Sequence, residues 1–146
     1  MVEATGVGVI DASVAVKLVV NEPGTPESVN LIEQSVRWIA PRLLVTEVAS
    51  ALRRKAEGGD LTPIHATSAL AALLDAVDDG IIQLAQDEEL APAALALALT
   101  LGHKVPDCVY LALAEREGAV LASADRKLLA AAKGRGVVVA EVPSTW

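Results

Sequence analysis

The chain has 146 residues, which is enough for one domain of ordinary size and too few for two. Nineteen acidic residues against twelve Lys and Arg give a net charge of −7, whereas general nucleic-acid binders are usually basic. The charge therefore argues against broad non-specific binding of nucleic acid, but it allows an enzyme whose metal ions offset an acidic site. The single cysteine, Cys108, excludes an intramolecular disulfide.

The composition predicts a cytoplasmic protein without a membrane segment. The first residues carry neither the basic stretch nor the long apolar run of a signal peptide. The most apolar segment, 91–101, is interrupted by Pro92 and is shorter than the roughly 20 residues that span a bilayer. We expect residues 1–146 to form a single domain with an aliphatic core, since the chain contains no Phe.

The first half of the chain alternates short apolar runs with helical segments. A β-branched run at Val7–Ile10 predicts a buried strand, and Asp11 follows it directly as a candidate helix cap. The further elements predicted in this half are a helix over 12–20, a helix over 26–34 capped by Thr25, a strand over 37–40, a helix over 43–57, and a helix from Thr62 and Pro63 to 77.

The second half repeats this alternation. Its predicted elements are a strand over 81–84, a helix over 88–101 ended by Gly102, a helix over 106–117 ended by Gly118, a strand over 119–122, a helix over 125–132 and a strand over 137–139. Apolar strands alternating with helices indicate an α/β fold with a parallel sheet covered on both faces. In such sheets ligands bind beyond the carboxyl ends of the strands.

Four acidic residues are candidates for a metal site at that edge. Asp11 ends the first strand, Asp125 lies just past the fourth, and Asp107 falls in the first turn of a helix. Each of these three also has a structural explanation, because helix N-termini favour acids. Glu47 differs, since it lies beside the apolar stripe of its helix, where an acid is costly unless paired. Together they predict a site for a divalent cation that offsets their repulsion.

Other polar residues near these acids are weaker candidates. Ser13 lies two residues after Asp11 and Ser123 two residues before Asp125, so either would suit a metal-bound water or a phosphate oxygen, and Ser13 would equally suit a cap. The basic clusters at 53–55 and 126–127 are either solvated surface or phosphate contacts. The two histidines and the cysteine have no partner at ligand spacing, which argues against a zinc site.

The candidate acids lie in four short segments, which in chain order are VIDAS at 9–13, TEVASAL at 46–52, PDCVYLALA at 106–114 and SADRKL at 123–128. These segments resemble the motifs of PIN-domain ribonucleases, most closely those of the VapC toxins of toxin–antitoxin pairs. Each is weak alone, but together they are specific, and the resemblance covers essentially the whole chain.

The resemblance implies a three-layer α/β/α sandwich with a five-stranded parallel sheet in the order 3-2-1-4-5. It implies Mg²⁺ or Mn²⁺ held by Asp11, Glu47, Asp107 and Asp125, with Ser123 in place of the Thr or Ser that the family has two residues before its last acid. It also implies RNA as the substrate, a homodimer, and a small antitoxin protein as partner.

The functional hypothesis is a metal-dependent endoribonuclease. Asp11 and Asp107 would bind the main ion, joined by Asp125 or Glu47, and a metal-activated water would attack the scissile phosphorus in line. The expected products are a 5′-phosphate and a 3′-hydroxyl.

Three other functions are alternatives to this hypothesis. A phosphoacceptor signalling domain needs an Asp at the end of the third strand, which instead continues into Ala85 and Gln86. A haloacid-dehalogenase-type phosphatase needs a second Asp where Ser13 stands. A non-catalytic binding module stays open, although the intact set of acids argues against it. The apolar helix faces between 26 and 77 are consistent with core, a dimer contact or an antitoxin groove.

Overall fold

The computed structural model describes residues 6–145, so the expectation about a signal peptide lies outside the described residues. Within that range helices and strands alternate as the sequence predicts. In chain order they are β1 (Val7–Ile10), α1 (Ala12–Val19), α2 (Thr25–Ile32), β2 (Arg37–Pro41), α3 (Leu43–Glu57), α4 (Pro63–Asp78), β3 (Ile82–Ala85), α5 (Asp87–Leu101), α6 (Val105–Glu117), β4 (Val120–Ser123), α7 (Arg126–Gly134) and β5 (Val139–Glu141).

The described strands form one five-stranded sheet in the order β3-β2-β1-β4-β5, and every pairing is parallel. This confirms the predicted fold class and strand order. β1 is central, with Val9 opposite Ile39 of β2 and Leu121 of β4. The N–H of Asp11 donates to the carbonyl of Ala122 at 3.2 Å, so the β1–β4 ladder continues to the residue that follows β1.

The helices divide into two groups by their contacts. α1 contacts α2, α3 and α4, whereas α6 contacts α5 and α7 as well as β1, β2 and β4. The chain moves from β1 to β2 to β3 in one direction and returns to β4 and β5 in the other. Because parallel crossovers are right-handed, this reversal puts the two groups of helices on opposite faces of the sheet. The result is the expected three-layer sandwich.

The core is aliphatic and continuous through the sheet. Leu44, Val48 and Leu52 lie four residues apart along α3 and are almost fully buried, which is the stripe expected of a helix packed on a sheet. Trp38 of β2 lies over Gly8 of β1, where an added Cβ would come within 2.3 Å of the indole ring. Close packing of the two strands at this point therefore requires glycine.

Two local predictions are wrong. α2 begins at Thr25 with Gly24 as its N-cap, while the Thr25 hydroxyl accepts a hydrogen bond from the Glu22 N–H and donates one to the Val20 carbonyl, each at 3.0 Å. The Thr25 side chain thus closes the loop after α1 instead of capping α2.

The second error concerns the last strand, which begins at Val139 and not at Val137. The Val137 N–H bonds to the carbonyl of Ala132 at 3.0 Å, so residue 137 still belongs to the turn that follows α7. Pairing with β4 starts where Val139 faces Leu121. The C-terminal ends of α2 and α7 also differ from the prediction by two residues, and the remaining boundaries outside β5 differ by at most one.

The apolar faces of α2 and α4 are only partly core. Leu31 and Leu73 are buried, whereas Leu74 is half exposed and Ile64 is largely exposed. Over residues 6–145, no helix has both the length and the apolar character that crossing a membrane requires.

Candidate active site at the carboxyl edge of the sheet

Asp11 is the most buried of the candidate acids. It follows β1 in extended conformation and caps α1, accepting a hydrogen bond from the Val14 N–H at 3.2 Å. Only 5% of the residue is exposed. Burial raises its pKa to about 6 against the lowering effect of hydrogen bonds from Ser123 and Ser13, and the charge of Asp125 raises it further. An ionised Asp11 is therefore unfavourable unless positive charge is nearby.

Two serines hold the Asp11 carboxylate from opposite sides. Ser13 Oγ donates to Oδ1 at 2.6 Å and accepts from the Ala124 N–H at 2.9 Å. Ser123 Oγ donates to Oδ2 at 2.5 Å and accepts from the Asp125 N–H at 2.9 Å. Because each hydroxyl gives its one proton to Asp11, neither has a proton left for a phosphate oxygen in this arrangement. The serines position Asp11 and attach it to the connection between β4 and α7.

Asp125 serves as the N-cap of α7. Its Oδ1 accepts hydrogen bonds from the N–H groups of Lys127 at 3.0 Å and Leu128 at 3.2 Å. Asp125 therefore has the helix-capping role that was one of the two interpretations of this residue from the sequence. The charge of Asp125 nevertheless raises the pKa of both Asp11 and Asp107, so all three carboxyl groups lie within electrostatic range.

Glu47 is held by a tyrosine from the opposite layer of helices. Tyr110 Oη of α6 donates to Glu47 Oε1 at 2.6 Å. Burial raises the pKa of Glu47, the hydrogen bond from Tyr110 lowers it, and the charge of Asp107 raises it. Burial and the contact with Glu47 also raise the pKa of Tyr110, so its hydroxyl keeps its proton and remains a donor.

Asp107 lies in the first turn of α6 beside several basic groups. Burial is the largest effect that raises its pKa, and the charge of Asp125 is the next largest. The charges of His103, Lys104 and Lys127 lower it. His103 Nδ1 lies 3.4 Å from Asp107 Oδ2. His103, Lys104 and Lys127 thus lie at the same edge of the sheet as Asp107.

The four acids lie at the same edge of the sheet, but their side chains are not grouped around one point. Hydrogen bonds join Asp11 to both serines, the charge of Asp125 raises the pKa of Asp107, and the charge of Asp107 raises the pKa of Glu47. Across residues 6–145, no three acidic, His or Cys side chains are already grouped as a metal site. Asp11, Glu47 and Asp125 instead each accept hydrogen bonds from donors of the protein itself. Direct binding of an ion by three of them would require side-chain rotation.

The donor set still fits a hard divalent cation by its chemistry. Mg²⁺ and Mn²⁺ prefer carboxylate oxygens. The Asp11 carboxylate accepts three hydrogen bonds, from Ser13, Val14 and Ser123, out of the roughly four a carboxylate offers. Burial and neighbouring negative charge both disfavour the ionised form of Asp11. A bound cation would stabilise that form and so compensate both effects.

Sequence reasoning missed Tyr110 as a site residue, although a signal was present. It is the only tyrosine of a chain without Phe, and it lies three residues after Asp107 on the same helix. Residues three apart on a helix share a face, so a polar aromatic side chain at this position would face the same way as the acid.

Residues 8–134 match the model of the PIN domain family. No curated protein matched the sequence.

Among solved structures, the crystal structure of PAE2754 from Pyrobaculum aerophilum is 25% identical, with a TM-score of 0.69 over 93% of this chain and 84% of that chain. VapBC2 from Rickettsia felis, bound to a DNA fragment from their promoter, is 9% identical, with a TM-score of 0.61 over 93% of this chain and 98% of that chain. FitAcB from Neisseria gonorrhoeae is 14% identical, with a TM-score of 0.59 over 90% of this chain and 95% of that chain.

The family match spans β1 to the end of α7 and contains every candidate acid. The fold, with its strand order and central β1, agrees with that match. The chain belongs to the PIN domain family.

Proposed function

We propose that this protein is a divalent-metal-dependent endoribonuclease and the toxin component of a toxin–antitoxin pair. The observation that carries the proposal is a buried Asp11 at the carboxyl edge of the sheet, whose pKa is raised by burial and by the charge of Asp125. Membership of the PIN domain family supports a hydrolase that acts on nucleic acid. The fold shared with VapBC2 and FitAcB supports the toxin role.

Asp11, Asp107, Asp125 and Glu47 would hold Mg²⁺ or Mn²⁺ in this proposal. When bound, such an ion lowers the pKa of a water and offsets the charge of the phosphodiester. The identity of the ion follows from the all-oxygen donor set, which suits these hard cations better than zinc.

The protein's own groups would orient the acids and the substrate. Ser13 and Ser123 fix both oxygens of Asp11, and Tyr110 fixes Glu47. Lys104 and Lys127, whose charges reach Asp107, would attract the phosphate of the scissile bond. Hydrolysis in line would leave a 5′-phosphate and a 3′-hydroxyl.

The proposed partners are a small antitoxin and a second copy of the chain, in the cytoplasm. Apolar side chains on the outer helices support such contacts, since contiguous exposed apolar patches mark interaction sites. Leu95 and Leu99 lie one turn apart on α5 and are 52% and 77% exposed. Ile64 of α4 is also largely exposed.

A non-catalytic PIN-like binding module is the second candidate. It is favoured by one observation: the acids of residues 6–145 do not form a ready three-ligand cluster. In that case the fold and the acids would remain while the protein only bound RNA or protein.

The test is cleavage of cellular RNA by purified protein in Mg²⁺ or Mn²⁺, with the new 5′ ends sequenced. We expect discrete cuts bearing 5′-phosphates, and we expect Asp11→Asn to lower the rate more than about 100-fold because it removes the central ligand. Asp60→Asn, which makes the same charge change at an exposed loop residue, serves as the matched control.

Cleavage by Asp11→Asn at the wild-type rate would show that the site is assigned wrongly. No cleavage of any RNA class by the wild-type protein in either metal would favour the binding module.

A further inference from the structure

A groove of about 420 Å³ lies between α1 and α3, next to the acids. Two of its lining residues, Ser13 and Glu47, also belong to the acidic site, so the groove opens onto that site. The residues that line it are Ala12, Ser13, Val16, Thr46, Glu47, Ser50, Ala51 and Arg54.

Arg54 marks the far end of this groove. It lies seven residues after Glu47 on α3, which is two helical turns, or about 10 Å along the axis. No ion pair joins the two within the described residues, yet the charge of Arg54 lowers the pKa of Glu47. The positive charge of the Arg54 guanidinium therefore reaches Glu47, although no acid of the site forms an ion pair with it.

Arg54 also differs from the two basic residues beside it. Arg53 forms an ion pair with Glu57 at 3.0 Å, and Lys55 pairs with Glu22. In the part of the chain that the structure describes, Arg54 pairs with no carboxylate and is exposed. Its five N–H donors, arranged to bind phosphate with two hydrogen bonds, are thus free for a ligand.

We propose that this groove is a subsite for the sugar–phosphate backbone of single-stranded RNA, in which Arg54 binds a phosphate near the scissile one. The inference rests on the proposed function and adds to it a residue that places the strand. The hydroxyls of Thr46 and Ser50 line the groove and supply donors for ribose or phosphate oxygens. The small side chains of Ala12 and Ala51 leave room for the backbone to pass.

The charge distribution explains why a single arginine matters. The chain carries a net charge of −7, and the acidic site itself repels phosphates. An unpaired cation two turns away on the same helix would offset that repulsion only for a strand lying along the groove. Binding would then be confined to the path that delivers a phosphodiester to Asp11.

The experiment measures binding of a short fluorescent single-stranded RNA by anisotropy over a series of salt concentrations. All proteins carry Asp11→Asn so that the RNA stays intact. We expect Arg54→Ala to raise Kd about tenfold, because it removes a charge-assisted hydrogen bond. It should also flatten the slope of log K against log salt by about 0.7, the value expected when the protein neutralises one phosphate fewer on a single strand.

Arg53→Ala is the matched control, since it removes a neighbouring arginine that is already paired with Glu57. We expect it to change neither Kd nor the salt slope. Arg54→Lys should keep the salt slope while losing part of the affinity, because lysine retains the charge without the two-pronged geometry. Equal Kd values and slopes for the Arg54→Ala and Arg53→Ala proteins would overturn the subsite.

A cleavage assay without the Asp11 change separates this inference from the proposed function. We expect Arg54→Ala to raise KM about tenfold with little change in kcat, as when a binding interaction remote from the reacting bond is removed. If wild type cleaves RNA and Arg54→Ala has wild-type KM and Kd, the subsite is wrong and the function stands. If wild type cleaves nothing while Arg54→Ala weakens RNA binding, the function is wrong and the groove remains an RNA-binding site.

Discussion

At the scale of single residues, the contact between Tyr110 and Glu47 decides how one acid of the site is oriented. The tyrosine is 1% exposed, and its hydroxyl reaches Glu47 Oε1 at 2.6 Å across the sheet edge. Its proton is retained because burial, Glu47, Asp11 and Asp107 all raise its pKa. Since the bond lowers the pKa of Glu47, Tyr110 both aims this carboxylate and favours its ionised form.

Tyr110→Phe tests this role because it removes the hydroxyl and keeps the ring. We expect Mn²⁺ affinity and the cleavage rate each to fall about 10-fold or more, the usual effect of losing a group that orients a ligand. Electron paramagnetic resonance of free Mn²⁺ measures the affinity, and urea unfolding reports stability separately. Wild-type Mn²⁺ affinity and rate in Tyr110→Phe would show that the tyrosine only fills space.

The sequence predicted which acids to consider but not what holds them. Asp11 was identifiable because it directly follows an apolar strand, and Glu47 because it adjoins an apolar stripe. The bond from Ser123 to Asp11 joins residues 112 positions apart and depends on the pairing of β1 with β4. No local pattern encodes that register, so the roles of Ser13 and Ser123 as positioning groups became visible only in the fold.

At the scale of elements, a buried ion cluster links the helices that form the walls of the groove. Lys17 of α1 has a side chain only 7% exposed and pairs with Glu22 at 3.1 Å. Lys55 of α3 pairs with the other oxygen of Glu22. Glu22 thus joins α1, the loop after it and α3, and it compensates a lysine that would otherwise be buried alone.

Glu22→Gln should destabilise the protein by about 3–5 kcal/mol, because it leaves the charge of Lys17 buried without a partner. Thermal or urea unfolding measures the loss. The matched control is Glu57→Gln, whose carboxylate pairs with Arg53 on the surface and should contribute less than about 1 kcal/mol. The double change of Lys17→Met with Glu22→Gln should recover most of the stability. Equal stability of the Glu22→Gln and Glu57→Gln proteins would contradict this account.

Element boundaries were predictable where local chemistry sets them. Thr62 caps α4 by accepting a hydrogen bond from the His65 N–H at 3.1 Å, and Gly118 ends α6 with a φ of +60°. β5 was misplaced because its position depends on pairing with β4, while the apolar run that suggested it begins earlier, in the turn that follows α7. Hydrophobicity alone does not separate those two environments.

At the scale of the whole molecule, strand order brings acids from distant parts of the chain to one edge. The alternation of elements predicted a parallel sheet, but the order 3-2-1-4-5 came from family resemblance, because neighbouring strands are chosen by long-range pairing. The consequence is electrostatic: a central β1 places Asp11 beside the end of β4 and near Asp125. In the proposed function, this arrangement would bind a cation at the expense of stability without metal.

The pH dependence of the stability without metal follows from the pKa of Asp11. Its folded-state pKa of about 6 lies above the ordinary 3.8, so the folded protein holds a proton that the unfolded chain has lost. Stability without metal therefore falls as pH rises between these two values and stays lower above about pH 6. Below about pH 6 a metal ion must displace that proton, so its apparent affinity should drop about tenfold per unit.

The most direct test of the central claim is the melting temperature of the metal-free protein as Mn²⁺ is added. At about pH 8, Mn²⁺ at about 100 times its Kd should stabilise the wild-type protein by about 2.7 kcal/mol, or about 5–10 °C for a domain of this size. The shift should be smaller at about pH 5, absent in Asp11→Asn and intact in Asp60→Asn. No shift in wild type at about pH 8, or an equal shift in Asp11→Asn, would contradict a metal site built on Asp11.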